Sequence, residues 1–218
     1  MKESMRTDVG PITLRSISVS DMDNNVYLLT HRHTGEQILI DAAADEAAIS
    51  SLIREGVGDV DEPADAVLRW IITTHSHWDH VRALGWLAAH VPGGTIAGAL
   101  DAPAIDVPTD RPVEHGDVIE VDGFSLEVIH LRGHTPGSIA LVLAVPGAAH
   151  RIFTGDSLFP GGVGKTNSPQ DFTSLIDDVT QRLFDRFDDD TVILPGHGRA
   201  TTLGAERPHL GEWRDRGW

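Results

Sequence analysis

The chain contains no cysteine. That excludes a disulfide framework, a thiolate nucleophile and a thiolate metal ligand, so any metal must be held by imidazole and carboxylate. Lysine is almost absent, with only Lys2 and Lys165, and Tyr27 is the sole tyrosine. Lys and Arg total 17 against 33 Asp and Glu, a formal charge of −16 with neutral His. So acidic a chain is a poor match for nucleic-acid phosphates or an anionic membrane surface. Long apolar runs are missing too. The longest, Ile139 to Val145, is far short of the roughly 20 residues that span a bilayer. Residues 1–20 scatter Lys2, Arg6 and Arg15 among polar residues, without the apolar stretch of a signal peptide. A cytoplasmic protein is the expectation.

What is present suffices for a core: 218 residues, 40% of them hydrophobic, read as one α/β domain over residues 1–218. Apolar, β-branched runs predict strands at 12–19, 26–30, 37–41, 68–74, 95–99, 118–121, 124–130, 139–145, 152–155 and 191–194. Helical spacing marks 44–55, with Gly56 as its stop, then about 81–89 and 172–187. Trp213 and Trp218 are expected to tuck the C-terminal tail onto the body.

Twelve histidines are the conspicuous surplus. The strongest cluster is Thr74-His75-Ser76-His77-Trp78-Asp79-His80, where an apolar strand hands over to a helix. Residues two apart in extended chain point the same way, so His75 and His77 can face one ion. Asp79 and His80, past the turn, can face a second. Zn²⁺, Fe²⁺ or Mn²⁺ suits such donors. Three more apolar runs end on a His or Asp flanked by Gly: His134 in Gly-His-Thr-Pro-Gly, Asp156 in Thr-Gly-Asp-Ser, and His197 in Pro-Gly-His-Gly. Asp41, closing another such run, is a candidate hydrogen-bond partner for a ligand His. Gly161 to Thr166 mimics the tail of a phosphate-binding P-loop, but the first Gly of that motif is replaced by Phe159.

This ordered set of motifs, spanning about residues 12 to 210, resembles the metallo-β-lactamase-fold hydrolases, and within them the glyoxalase II (hydroxyacylglutathione hydrolase)-like branch. The ending looks like the short, single-domain relatives. The resemblance implies an αββα sandwich with a two-metal site at one edge. It implies one ion on His75, His77 and His134, another on Asp79, His80 and His197, and Asp156 bridging both. The ions would be zinc, with iron or manganese as alternatives. Two such ions 3.5–4 Å apart lower the pKa of a shared water to about 7, which suits hydrolysis of a small thioester, with Asp79 orienting the water. Lys165 matches the family's basic position for an anionic part of the substrate. A cysteine that true β-lactamases often carry at the second ion is absent, which disfavours antibiotic hydrolysis. The alternative reading is a persulfide dioxygenase-like protein with one Fe²⁺ on His75, His134 and Asp156. A lactonase or other esterase of the same fold ranks lower.

Overall fold

A computed structural model describes residues 4–217. Seven strands form a first sheet in chain order: β1 (Met5–Val9), β2 (Ile12–Val19), β3 (Asn24–His31), β4 (Glu36–Ile40), β5 (Val67–Thr73), β6 (Gly94–Gly98) and β7 (Arg111–Val113). Helix α1 (Glu46–Val57) links β4 to β5, and α2 (Leu84–His90) links β5 to β6. Then follow β8 (Val118–Val121), β9 (Phe124–His130), β10 (Ile139–Leu143), β11 (Arg151–Gly155) and the hairpin β12 (Leu158–Phe159) and β13 (Gly162–Val163). Helix α3 (Pro169–Val179), β14 (Val192–Pro195), β15 (Thr201–Thr202), α4 (Leu203–Glu206) and α5 (Leu210–Arg216) complete the chain. The second sheet has the order β15-β14-β11-β10-β9-β8.

Alternation along the strands builds three apolar layers. In β3 every residue is buried. Tyr27 and Leu29 face the second sheet with Ile38, Ile72, Val128, Leu141 and Phe153. Val26 and Leu28 face outward onto Ile49 and Leu52 of α1 and Leu84 and Leu87 of α2. On the far side, Ile129, Val142 and Ile152 pack on Phe172, Leu175, Leu183 and Trp213. Strands buried on both faces need helices on both outer faces, and the result is the αββα sandwich that the motifs imply. No helix among the described residues is long and apolar enough to cross a membrane.

Several boundaries differ from expectation. α1 passes through Gly56 instead of stopping there, because Gly56 is the contact point with β3: a Cβ would sit 2.5 Å from Leu28 Cδ2. The strand β5 leads into a single 3₁₀ turn, Trp78–His80, and α2 begins only at Leu84. The long third helix ends at Val179 and continues as one π turn, Thr180–Phe184. The tail is helical: Trp213 is 1% exposed and meets Phe184 edge-on at 6.2 Å. Trp218 lies outside the described residues.

The topology places the site. β4, β5 and β6 run parallel, as do β11 and β14, so their C-terminal ends gather along one edge. There the sheets are stitched together: Ile139 N donates to Thr74 O at 2.9 Å and Asn25 N to Gly196 O at 2.8 Å.

Candidate metal centre

Four histidines of the cluster, His75, His80, His134 and His197, each have one ring nitrogen tied to its surroundings. Thr74 Oγ1 donates its proton to Asp41 Oδ2 at 2.8 Å, so His75 Nδ1, 3.1 Å away, must donate to that hydroxyl. His134 Nδ1 donates to the Lys165 carbonyl and His197 Nδ1 to that of Met22, both at 2.7 Å. His80 Nδ1 faces Asp41 Oδ2 at 3.0 Å. These partners fix the tautomers, leaving four Nε2 lone pairs turned inward.

Asp156 sits at their focus. Its Oδ1 is 3.4 Å from His80 Nε2, and its Oδ2 is 3.4 Å from His197 Nε2, 3.6 Å from His134 Nε2 and 4.0 Å from His75 Nε2. His77 stands against His75 and His134, with ring centres 4.8 and 4.5 Å away. Asp79 Oδ2 is 3.2 Å from His197 Nε2 and 3.6 Å from His80 Nε2. The 3₁₀ turn is what aims Asp79 and His80 toward His197, while the His80 ring stays 4.2 Å from that of His75. Donor atoms converge in three groups: His75, His77 and His134; His75, His80 and Asp156; and Asp79, His80 and His197.

The donor set fits divalent metal. His75 Nε2, His134 Nε2 and Asp156 Oδ1 are buried without any hydrogen-bond partner, and a buried orphan of this kind costs about 1–3 kcal/mol. His80 and His197 bring their Nε2 atoms within 3.1 Å of each other, which calls for a shared cation or proton. The electrostatics of the cluster point the same way. Burial pulls the His80 imidazolium down, but Asp41 and Asp156 outweigh it and push its pKa up to about 10. Burial and the neighbouring His80 hold His75 well below the usual imidazole range. Burial would raise Asp156, but the facing His197 and His80 imidazoles, 3.4 Å away, keep it far below the usual carboxylate range. The cluster thus pushes two of its imidazoles in opposite directions beside a carboxylate that favours its ionised form.

Two glycines admit the metal-facing groups. A Cβ on Gly196 would lie 2.3 Å from Asp156 Oδ1 and 2.7 Å from His80 Cε1. One on Gly164 would lie 1.8 Å from the Asp156 carbonyl oxygen.

Of the sequence-derived candidates, the structure brings His75, His77, Asp79, His80, His134, Asp156 and His197 together, and puts Asp41 behind His80. Asp41 is 1% exposed and holds a left-handed backbone, φ 59°, a conformation that costs about 1–3 kcal/mol outside glycine and persists only where the surroundings hold it. Lys165 is different: its carbonyl supports His134, while its side chain is exposed. Asn24 falls between the strands expected at 12–19 and 26–30, where nothing in the sequence assigns it a role. Its fully buried amide donates to Asp79 Oδ2 at 3.0 Å and to the Asp79 carbonyl at 3.3 Å. Tyr27, also unassigned, donates its hydroxyl to Pro195 O at 2.7 Å, bracing the segment that carries His197.

Residues 19–197 match the family model of the metallo-beta-lactamase superfamily. The hydroxyacylglutathione hydrolase GloC of Haemophilus influenzae is 35% identical over 166 residues, 67% of this chain and 76% of that one. The human mitochondrial persulfide dioxygenase ETHE1 is 31% identical over 191 residues, covering 86% and 69%. Among solved structures, TTHA1623 in a di-iron-bound form superposes with a TM-score of 0.69 at 27% identity, covering 88% of this chain and 96% of that one. With the family's match running through the whole cluster, from before β3 to His197, this chain belongs to the metallo-beta-lactamase superfamily.

Proposed function

We propose that the protein is a dinuclear metal-dependent hydrolase that cleaves thioesters of small acids. The observation that carries this reading is the set of inward-facing imidazole lone pairs, two of them buried and unpartnered, around the Asp156 carboxylate. His75, His77 and His134 would hold one ion, and Asp79, His80 and His197 the other, with Asp156 between them. Zinc, iron and manganese all accept such nitrogen and oxygen donors; the di-iron form of the related TTHA1623 supports a pair of ions. When bound, the ions supply an activated water and a Lewis acid for the acyl oxygen.

The protein's own groups do the rest. Burial works against ionisation of Asp79, but the Asn24 amide and the charge of His80 keep its pKa below the ordinary carboxylate range. Asp79 therefore remains an acceptor, able to orient a water toward an acyl carbon. A thiolate leaves without assistance, since a free thiol has a pKa of about 8.5, so no general acid is required of a chain lacking cysteine and nearly lacking lysine. Beside the cluster, Trp78 is 62% exposed and the Phe159 ring centre is 6.4 Å from that of His197, offering apolar surface to an acyl group or thiol carrier. The hydroxyacylglutathione hydrolase relative supports thioester chemistry.

Lys165 supplies the test of substrate class. Its ammonium is free to pair with a carboxylate on the substrate. Lys165→Ala should raise KM for anionic thioesters with kcat nearly unchanged, the mark of lost uniform binding. Because the side chain is exposed, the loss in kcat/KM should be roughly 2–5-fold. Steady-state thiol release from anionic and neutral thioesters checks this. Equal responses of the two substrates would remove Lys165 from substrate binding, and absence of thiol release by metal-loaded wild type would remove the thioesterase reading.

A further inference from the structure

Asp101 is a buried carboxylate, 1% exposed, just beyond the end of β6. Its oxygens take three hydrogen bonds. Oδ2 accepts from Ser76 N at 2.8 Å and from Thr135 Oγ1 at 2.6 Å, and Oδ1 accepts from Gly137 N at 2.6 Å. Ser76 lies between His75 and His77, and Thr135 follows His134. One side chain therefore joins the two loops that carry these histidines, one loop from each sheet. The backbones are in contact at the same point: a Cβ on Gly137 would lie 2.3 Å from Asp101 N, and one on Gly98 would lie 2.0 Å from Gly137 O.

The other half of the cluster has its own supports. His80 is held by Asp41, Asp79 by Asn24, and His197 by the Met22 carbonyl. Asp41 also holds Thr74, whose hydroxyl takes the His75 Nδ1 proton. Yet none of these supports is hydrogen-bonded to His77 or to the loop around Thr135, and Asp101 is hydrogen-bonded to none of Asp79, His80 and His197. A carboxylate taken out of water is costly unless its oxygens are satisfied by donors, and here the donors are the ligand loops themselves.

We propose that Asp101 is a positioning residue that sets the separation between the His75–His77 pair and His134, and thereby the affinity of that half of the centre alone. This rests on the metal-centre reading above. Without Asp101, the amides of Ser76 and Gly137 lose their acceptor and the two loops lose their common anchor. In Asp101→Asn an amide oxygen in the place of Oδ2 can still accept from Ser76 N and Thr135 Oγ1, but the NH₂ group then opposes Gly137 N–H, so a partial effect is expected.

The test is a competition titration of metal-free protein with Zn²⁺ against a chromophoric chelator, paired with melting curves of the metal-free and Zn²⁺-loaded forms. Wild type should show two binding events. Asp101→Ala should weaken one by roughly 10–100-fold, the range seen when outer partners of metal ligands are removed, and leave the other within about threefold. Asp101→Asn should fall between, and it serves alone where Asp101→Ala does not fold. A merely structural residue would lower both melting temperatures equally, keeping the metal-induced rise intact; the positioning role shrinks that rise. Folded variants with both affinities within about threefold and an unchanged rise would overturn the proposal. A wild type that binds no Zn²⁺ would instead overturn the metal-centre reading, and the proposal with it, before any variant is compared.

Discussion

Asp156→Asn is expected to empty both halves of the centre together and to lower kcat/KM by more than about 100-fold, beyond the effect of removing an outer partner of a ligand. Asp156 brings its carboxylate oxygens within 4.0 Å of the Nε2 atoms of His75, His80, His134 and His197 at once. A neutral amide is a poor bridge between two cations, and its NH₂ would point a donor where ions should sit. The fold should survive, because that same NH₂ can donate to an imidazole lone pair that is otherwise unpartnered. Elemental analysis after dialysis, beside circular dichroism, checks both halves of the expectation. A folded variant that keeps two ions per chain and full turnover would refute the bridging role.

Gly196→Ala should be comparably damaging although no ligand is removed. Its methyl would begin 2.3 Å from Asp156 Oδ1, so about 1 Å of displacement is required of Asp156 or of the segment carrying His197. That segment is pinned: Gly196 N donates to Gly155 O and Gly196 O accepts from Asn25 N, both at 2.8 Å, and the Asn25 side-chain amide donates to the carbonyls of Pro195 and Gly198. A misplacement of about 1 Å at a reacting site can cost 10²-fold in rate, and overpacking adds about 1–3 kcal/mol of instability. Turnover should fall on the order of 100-fold, with a lowered melting temperature even in chelator. Wild-type turnover would mean that residues 195–198 can swing clear of Asp156.

The contrast between these two residues and Asn24 or Asp101 shows what a sequence makes legible. His75, His77, Asp79 and His80 are adjacent in the chain, and the end of an apolar strand marks them. Glycines mark His134, Asp156 and His197 in the same way, because a Cβ there would collide with a neighbouring segment: Gly133 with Asp171 O, Gly155 with Thr74 and Gly196 with Asp156. Asn24 acts across 55 residues on Asp79, and Asp101 across 36 on Gly137. Nothing local distinguishes either from a turn residue, since their partners are chosen by the packing of two sheets. The ten longer apolar strands are legible. β1 is not, because as an edge strand its first four residues are exposed and carry no alternation, and β7, β12, β13 and β15, of two or three residues each, are too short to show a pattern. The C-terminal helices are missed because a single residue, Trp213, anchors α5 in the core.

The most direct measurement of the central claim is thiol release and oxygen consumption by the same metal-loaded preparation, under air and under nitrogen. A dinuclear thioester hydrolase should release one thiol and one acid per thioester at equal rates in both atmospheres. It should carry two ions per chain and take up no oxygen with glutathione persulfide. Oxygen uptake with the persulfide, one iron per chain and no thiol release from any thioester would contradict the account, and would assign the cluster to a single iron on His75, His134 and Asp156.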